Sequence, residues 1–274
     1  VPELPEVEVL RRSLEARVLG DRIDGVRVWN RSLREPVDVR RLARRCAGRR
    51  IEALGRRAKY LLAHLEGGST LVVHLGMSGR VTVVPEAEAR EAHEHVALYL
   101  ASGRRLRLRD PRRFGLVLAL PTAGLEDDPH FRHLGVEPLD EEFDAGVLAR
   151  AARRRRGPVK PFLLDARVVV GVGNIYASEA LHLAGIHPGR SVSRISAARW
   201  HRLAGAVRWV LERAIEVGGT TLSDFTDGDG QAGYFQISLS VYDREGEPCG
   251  RCGRSVRRLV QAGRSTYYCP GCQR

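Results

Sequence analysis

The chain has 274 residues, 43% hydrophobic and 28% charged, with a net charge of +12. No run approaches the roughly 20 apolar residues of a membrane-spanning helix, and no basic segment leading into an apolar stretch marks a secretory leader. A helical membrane protein is therefore excluded, a cytoplasmic monomer is expected, and the surplus of base over acid favours a polyanionic partner, nucleic acid first.

Residues 5–18 read as a helix, because Leu4, Val7, Leu10, Leu14 and Val18 recur at steps of three or four. Pro5 suits a first helical turn, and Glu6 and Glu8 suit its positive end. From residue 22 to 120 the pattern becomes short runs such as "IDGVRVW", "YLLAHL", "RVTVV", "RLRLR" and "GLVLAL", parted by glycine and charged turns. Many short strands at regular spacing predict a sandwich or barrel. The Pro-, Gly- and Asp-rich stretch 120–140 breaks that pattern and reads as a connection between domains. Helical periodicity returns in "EEFDAGVLARAARRRR", "KPFLLDA", "NIYASEALHLAG" and "SAARWHRLAGAVRWVLERAIEVG". A loop, "GGTTLSDFTDGDGQAGYF", leads into a cysteine-bearing module.

Cys249, Cys252, Cys269 and Cys272 spell C-x2-C-x16-C-x2-C. Two such knuckles converge on one tetrahedral Zn²⁺. Disulfides are the alternative, which a reducing cytoplasm disfavours. Four thiolates leave no open coordination position, so the ion is expected to be structural. Between the knuckles, arms at 255–261 and 265–269 predict a β-hairpin with Arg264 at its tip. That arginine is either a groove or phosphate contact or a plain exposed turn residue.

The composition also marks positions by scarcity: the lysines are Lys59 and Lys160, the sole methionine is Met77, and the asparagines are Asn30 and Asn174. Lys is a compact charge that Arg does not replace, so both lysines are candidates for specific roles. Asn174 reads as the N-cap of a helix, serving a phosphate or the helix alone. "HLGMSGR" (74–80) and "RDPRRFG" (109–115) are loops at strand ends. Met77 and Phe114 beside Arg112 and Arg113 suit a protein that unstacks bases; a core methionine is the plainer reading of Met77. The "RRRR" run, 153–156, is by itself an ordinary solvated helix end.

Taken together, "PELPEVE", "RRAKYLL", "HLGMSG", "DPRRFG", "VVGVGNIYASE", "GGTTL" and "GRSTYYCPGCQ" resemble the bacterial formamidopyrimidine-DNA glycosylase family (Fpg, or MutM) of the Fpg/Nei superfamily, over essentially the whole chain. The resemblance implies an α+β multidomain protein. It would comprise a β-sandwich with flanking helices (1–133), a helix–two-turn–helix domain with a lesion loop (134–238) and a β-hairpin zinc finger (239–274). It implies a bifunctional glycosylase and AP lyase acting on double-stranded DNA that carries oxidised bases or abasic sites. The family removes 8-oxoguanine opposite cytosine and formamidopyrimidines, then cuts the strand by β,δ-elimination.

Position by position, the resemblance makes Pro2 the Schiff-base nucleophile and Glu3 the general acid at the sugar. Lys59 matches the β-elimination residue and Arg264 the δ-elimination and phosphate residue. A guanidinium donates protons poorly, so Arg264 is expected to act as an electrostatic clamp. His74, Met77, His93, Arg112, Phe114, Arg155, Lys160 and Asn174 match DNA contacts; Met77, Arg112 and Phe114 would fill the gap left by the extruded base. Ser223 stands in the lesion loop where some members carry a basic residue. A free amine at Pro2 requires Val1 to be absent from the working enzyme. Two other readings stand beside this one: a Nei-like glycosylase for oxidised pyrimidines, and a catalytically silent zinc-finger DNA-binding protein.

Overall fold

The computed structural model describes residues 2–218 and 239–274; Val1 and residues 219–238, which include Ser223 and the expected lesion loop, lie outside the described residues. The described chain divides into two compact units. Residues up to Arg132 form the first, and His133–Val217 with the C-terminal residues form the second.

In the first unit, helix α1 runs Leu4–Val18 and buries Leu4, Val7, Leu10, Leu14 and Val18, the stripe expected from the sequence. Each such side chain stabilises the fold by about 1.5–3 kcal/mol relative to exposure. After β1 (Ile23–Val28) comes α2 (Val39–Cys46), started by Asp38, whose side chain accepts the Arg41 N–H at 2.9 Å. Seven strands follow: β2 (Ile51–Arg57), β3 (Tyr60–Leu65), β4 (Ser69–His74), β5 (Arg80–Pro85), β6 (Glu94–Leu100), β7 (Arg104–Arg109) and β8 (Leu116–Pro121). They form two antiparallel sheets, β1-β6-β7-β5 and β2-β3-β4-β8. Alternation points Leu54, Leu61, Ala63, Leu71, Val73, Val117 and Ala119 of one sheet at Val81, Val96, Leu98, Leu106 and Leu108 of the other, with α1 closing the core. The expected sandwich with flanking helices is what forms.

The topology has one consequence for the loops. β4 pairs β8 (His74↔Leu116) and β5 pairs β7 (Arg80↔Arg109). The β4–β5 and β7–β8 connections both cross from one sheet to the other, so they run side by side.

The second unit contains α3 (Ala145–Ala152), α4 (Val159–Leu163), α5 (Asn174–Ala184), α6 (Ala197–Glu216), β9 (Arg257–Gln261) and β10 (Arg264–Tyr268). Helix α3 is shorter than the expected 141–156 stretch. Asp144 caps its start by accepting the Val147 N–H at 2.7 Å, and Arg154 takes a left-handed φ of 63° beyond its end, which stops helical propagation. Helix α5 is buried almost all round, including Ser178, Glu179 and His182. The hairpin turns on Ala262 (φ 48°) and Gly263 (φ 73°), two positive-φ residues as a type I′ turn requires. Arg264 therefore opens β10 opposite Gln261 rather than sitting at the tip. No described helix is long and apolar enough to cross a membrane.

Candidate functional site

At the start of the first unit, Pro2 and Glu3 are buried and immediately precede α1. Glu3 is 2% exposed and is the N-cap residue. Its N–H donates to Glu6 Oε2 at 2.8 Å, so the first-turn carboxylate of Glu6 fixes the Pro2–Glu3 backbone. Glu8 is held elsewhere. Burial raises its pKa, but hydrogen bonds from Arg11 and Arg12 outweigh this, and the carboxyl stays below the usual range. The acidity of the opening segment thus serves helix initiation and ion pairing.

Lys59 lies in the two-residue turn between β2 and β3, after Ala58 at φ 55°. A non-glycine residue there is strained, and the strain accompanies a tight turn that fixes where Lys59 leaves the sheet. His74, at the end of β4, accepts the Gly76 N–H on Nδ1 at 2.9 Å and packs on Tyr60 at 4.9 Å. Burial, then the positive charges of Arg34 and Lys59, pushes its pKa down to about 3. The ring is therefore neutral, with its proton on Nε2.

Met77 sits half-buried on the β4–β5 loop, while Arg112 and Phe114 are exposed on the neighbouring β7–β8 loop. Phe114 is 44% exposed, and the Arg112 guanidinium lies 5.0 Å above its ring, a cation–π pair that holds both side chains out of the core. The structure pairs Arg112 with Phe114 and sets the Met77 loop against theirs, while Met77 is not among the buried core residues. His93 is exposed nearby with φ 65°, and its carbonyl accepts the Asp110 N–H at 3.0 Å.

In the second unit, Lys160 is 1% exposed. Its Nζ donates to Asn174 Oδ1 (2.6 Å), Thr266 Oγ1 (2.8 Å) and the Ser265 carbonyl (3.2 Å). Asn174 Nδ2 also donates to the Ser265 carbonyl, at 3.0 Å. The expectation of Asn174 as N-cap is corrected here: Gly173 is the cap and Asn174 the first helical residue. Its side chain is claimed by Lys160 and the hairpin instead of by its own helix. A direct phosphate contact from Lys160 requires giving up one of these acceptors. Arg264, next to Ser265, is exposed. Arg155 is also exposed; it donates to Asp165 at 3.0 Å and lies over Phe162 at 5.6 Å. The Asp165 carboxyl is held down to about 2, first by Arg167 and then also by Arg155.

The ligand sulfurs of Cys249, Cys252, Cys269 and Cys272 lie within 4.8 Å of one another. Tetrahedral Zn–S bonds of ~2.3 Å make sulfur–sulfur edges of ~3.8 Å, and the Cys252–Cys269 and Cys249–Cys272 separations are 3.4 and 3.9 Å. Burial and the neighbouring thiols push Cys272 up to about 12, because four adjacent sulfurs do not all ionise unaided. Cys249 is lowered to about 7: N–H bonds from Arg251 and Cys252 and the neighbouring thiols outweigh its burial. The donor set calls for a dication at its centre, and one structural zinc ion fits it. His182 of α5 reaches this cluster, with Nε2 3.5 Å from Cys249 Sγ. Burial, then Arg251 and Arg244, lowers its pKa to about 4.

Three positioning residues escaped the sequence reading: Asp110, Glu179 and His182. Glu179 accepts the N–H groups of Ser240, Val241 and Tyr242 at 2.8–2.9 Å, anchoring that segment of the chain to α5. The partners of Glu179 and His182, and the Ser78 that Asp110 binds, are distant in sequence, so no local pattern announces them; Glu6, by contrast, was legible locally as an acid three residues after the cap.

Comparison with known proteins gives three family matches: the formamidopyrimidine-DNA glycosylase N-terminal domain over residues 1–117, its H2TH domain over 134–226, and a zinc finger found in FPG and IleRS over 246–274. The formamidopyrimidine-DNA glycosylase of Halorhodospira halophila is 53% identical over 274 residues, covering 100% of both chains. The MutM (Fpg) protein of Thermus thermophilus aligns with a TM-score of 0.88 at 42% identity, over 99% of this chain and 98% of that one. Lactococcus lactis Fpg, 32% identical, has been solved with DNA containing Fapy-dG (TM-score 0.90), an abasic site (0.91) and an oxidised pyrimidine (0.91), each covering at least 99% of both chains.

Proposed function

The chain belongs to the formamidopyrimidine-DNA glycosylase family, and on that premise we propose that its substrates are oxidised purines, 8-oxoguanine opposite cytosine and formamidopyrimidines, removed through a Schiff base on Pro2. As a member it is a DNA glycosylase and AP lyase that works in base-excision repair. The observation that carries the finer reading is the start of α1, where Pro2 and Glu3 stand together with Glu6 fixing their backbone.

In the proposed reaction the Pro2 nitrogen attacks C1′ as the glycosidic bond breaks and the base leaves with a proton. An α-amine titrates near 7.7–8.0, so a usable fraction is neutral around physiological pH. Glu3 protonates the ring oxygen as the sugar opens, leaving an iminium ion between Pro2 and C1′. Loss of a sugar proton, with Lys59 assisting, expels the 3′-phosphate. A second proton loss expels the 5′-phosphate, with Arg264 as an electrostatic clamp on the leaving group. Water releases the sugar fragment from Pro2. His74, His93, Arg112, Arg155, Lys160 and Asn174 hold the duplex, and Met77, Arg112 and Phe114 occupy the gap left by the base. The zinc ion supplies no chemistry to the reacting atoms; it fixes the hairpin that bears Arg264.

A second reading, excision of oxidised pyrimidines, is favoured by the Lactococcus lactis relative solved with such DNA. Borohydride trapping tests both. A chain beginning at Pro2 should give a covalent adduct with 8-oxoguanine duplex, faster than with a thymine-glycol duplex, and peptide mass mapping should place it on Pro2. An adduct mapped to Lys59, or none, overturns the Pro2 assignment; preference for thymine glycol selects the second reading.

A further inference from the structure

Asp110 has no exposed surface, yet it carries a carboxylate into the base of the loops that hold Met77, Arg112 and Phe114. Its Oδ1 accepts the Ser78 hydroxyl at 2.7 Å and its Oδ2 accepts the Gly115 N–H at 2.7 Å. Ser78 Oγ in turn accepts the Arg112 N–H at 3.2 Å. One carboxylate therefore joins the β4–β5 loop to both ends of the β7–β8 turn. The main chain of Asp110 is tied down as well: its carbonyl accepts from His95 Nε2 (2.9 Å) and from the Arg113 N–H (3.1 Å).

The fit between the two loops is backbone against backbone. Gly76 has φ 64°, and a Cβ added there would collide with the Phe114 carbonyl and the Gly115 nitrogen. A Cβ on Gly115 would stand 3.0 Å from Asp110 Oδ2 and 3.1 Å from the His74 carbonyl. Neither loop moves without the other. A further layer holds the edge. Arg105, Arg107 and Arg109 lie on one face of β7 and bind the segment before His93. Arg105 donates to the Glu88 carbonyl (2.9 Å), Arg107 pairs with Glu88 (2.7 Å) and Glu91 (2.6 Å), and Arg109 donates to the Ala92 carbonyl (2.9 Å). That segment reaches Asp110 through the His93 carbonyl.

We propose that Asp110 is a positioning residue for duplex opening. It locks the Met77 loop and the Arg112–Phe114 loop into one rigid wedge, and thereby sets both lesion extrusion and the choice of opposite base. The inference rests on the reading of Met77, Arg112 and Phe114 as the gap-filling residues. Rigidity matters because a wedge that yields does not transmit binding energy into unstacking a base pair. A buried carboxylate accepting a hydroxyl and a backbone N–H gives two charge-assisted bonds.

The test uses the full chain beginning at Pro2, loaded with zinc. Asp110→Asn keeps the shape but removes the charge, and its NH₂ meets Ser78 only if that hydroxyl turns its proton away. Single-turnover excision of 8-oxoguanine paired with cytosine should fall about 10- to 100-fold, the loss expected for one charge-assisted bond. Its preference for cytosine over adenine opposite the lesion should flatten. Strand cleavage at a ready-made abasic site has no base to extrude, and should change less than about 3-fold, below the effect of one such bond. Ser78→Ala removes one arm from a half-buried site and should give the same split at smaller size; it carries the test if Asp110→Asn does not fold. Equal losses on both substrates, or no loss, overturn the proposal. A wild-type chain that cleaves abasic DNA but excises no oxidised purine overturns the substrate reading instead.

Discussion

Asp110 in the first unit and Lys160 in the second are both charged, both essentially without exposed surface, and both sit behind the segments proposed to touch DNA. They differ in what they gather. Asp110 collects N–H and O–H donors from two loops whose strands already pair, β4 with β8 and β5 with β7. Lys160 collects oxygens from α5 and from a hairpin more than 100 residues further along the chain. An eight-stranded sandwich fixes its loops well enough that one carboxylate finishes the work. A two-stranded hairpin is marginal alone, and here it needs both a metal and a buried ammonium. The same task, a rigid DNA-facing loop, is solved by sheet topology in one unit and by cross-links in the other.

Removing zinc should separate the two solutions most sharply. Structural zinc contributes on the order of 10 kcal/mol to small zinc modules. Chelator titration should abolish binding to abasic-site duplex while the sandwich keeps its melting temperature, followed by Trp29 in the first unit. Full affinity in the zinc-free protein would show that the hairpin does not depend on its cross-link, and the contrast would collapse.

Lys160→Met comes next in size. It preserves bulk but leaves the oxygens of Asn174, Ser265 and Thr266 without their charged donor. The zinc-loaded second unit should lose about 2–3 kcal/mol of stability, read from Trp200 and Trp209 fluorescence in urea, with the first unit unaffected. A change below about 0.5 kcal/mol, the range of ordinary surface substitutions, would leave zinc as the sole cross-link.

The contrast also explains what the sequence could and could not disclose. Periodicity exposed α1 and the strands because each buries one face, and that alternation is written within the element whichever strand it pairs with. The four cysteines were legible because metal ligation fixes their spacing. The scarcity of lysine and methionine pointed to Lys59, Met77 and Lys160, but not to how Lys160 is used. Asn174 looked like a cap because nothing local shows that a lysine 14 residues earlier holds its side chain. Asp110 drew no reading of its own within the "RDPRRFG" loop, because Ser78, 32 residues back, is invisible to any window. The "RLRLR" run read only as a strand, and nothing local showed that Arg105 and Arg107 are buried against an acidic segment.

The smallest expected effect belongs to an ionic clasp in the first unit, at His130. Its Nδ1 lies 2.6 Å from Asp128 Oδ1 and its Nε2 lies 2.9 Å from Glu35 Oε1. Only the imidazolium donates from both nitrogens. Burial works against the charged ring, but the bonds to Glu35 and Asp128 outweigh it and raise the pKa. The sign follows: a folded value above the unfolded ~6.5 adds stability that is full below ~6.5 and fades as pH rises through the folded value. Glu35 is 47% exposed, so water screens the pair and the contribution stays under about 1 kcal/mol. NMR titration of the His130 ring should show a midpoint above ~6.5, and Glu35→Gln should bring it back toward that value. A wild-type midpoint at or below it would mean the clasp closes without charge. The first unit would then hold this corner, like its wedge, by geometry that pH does not reach.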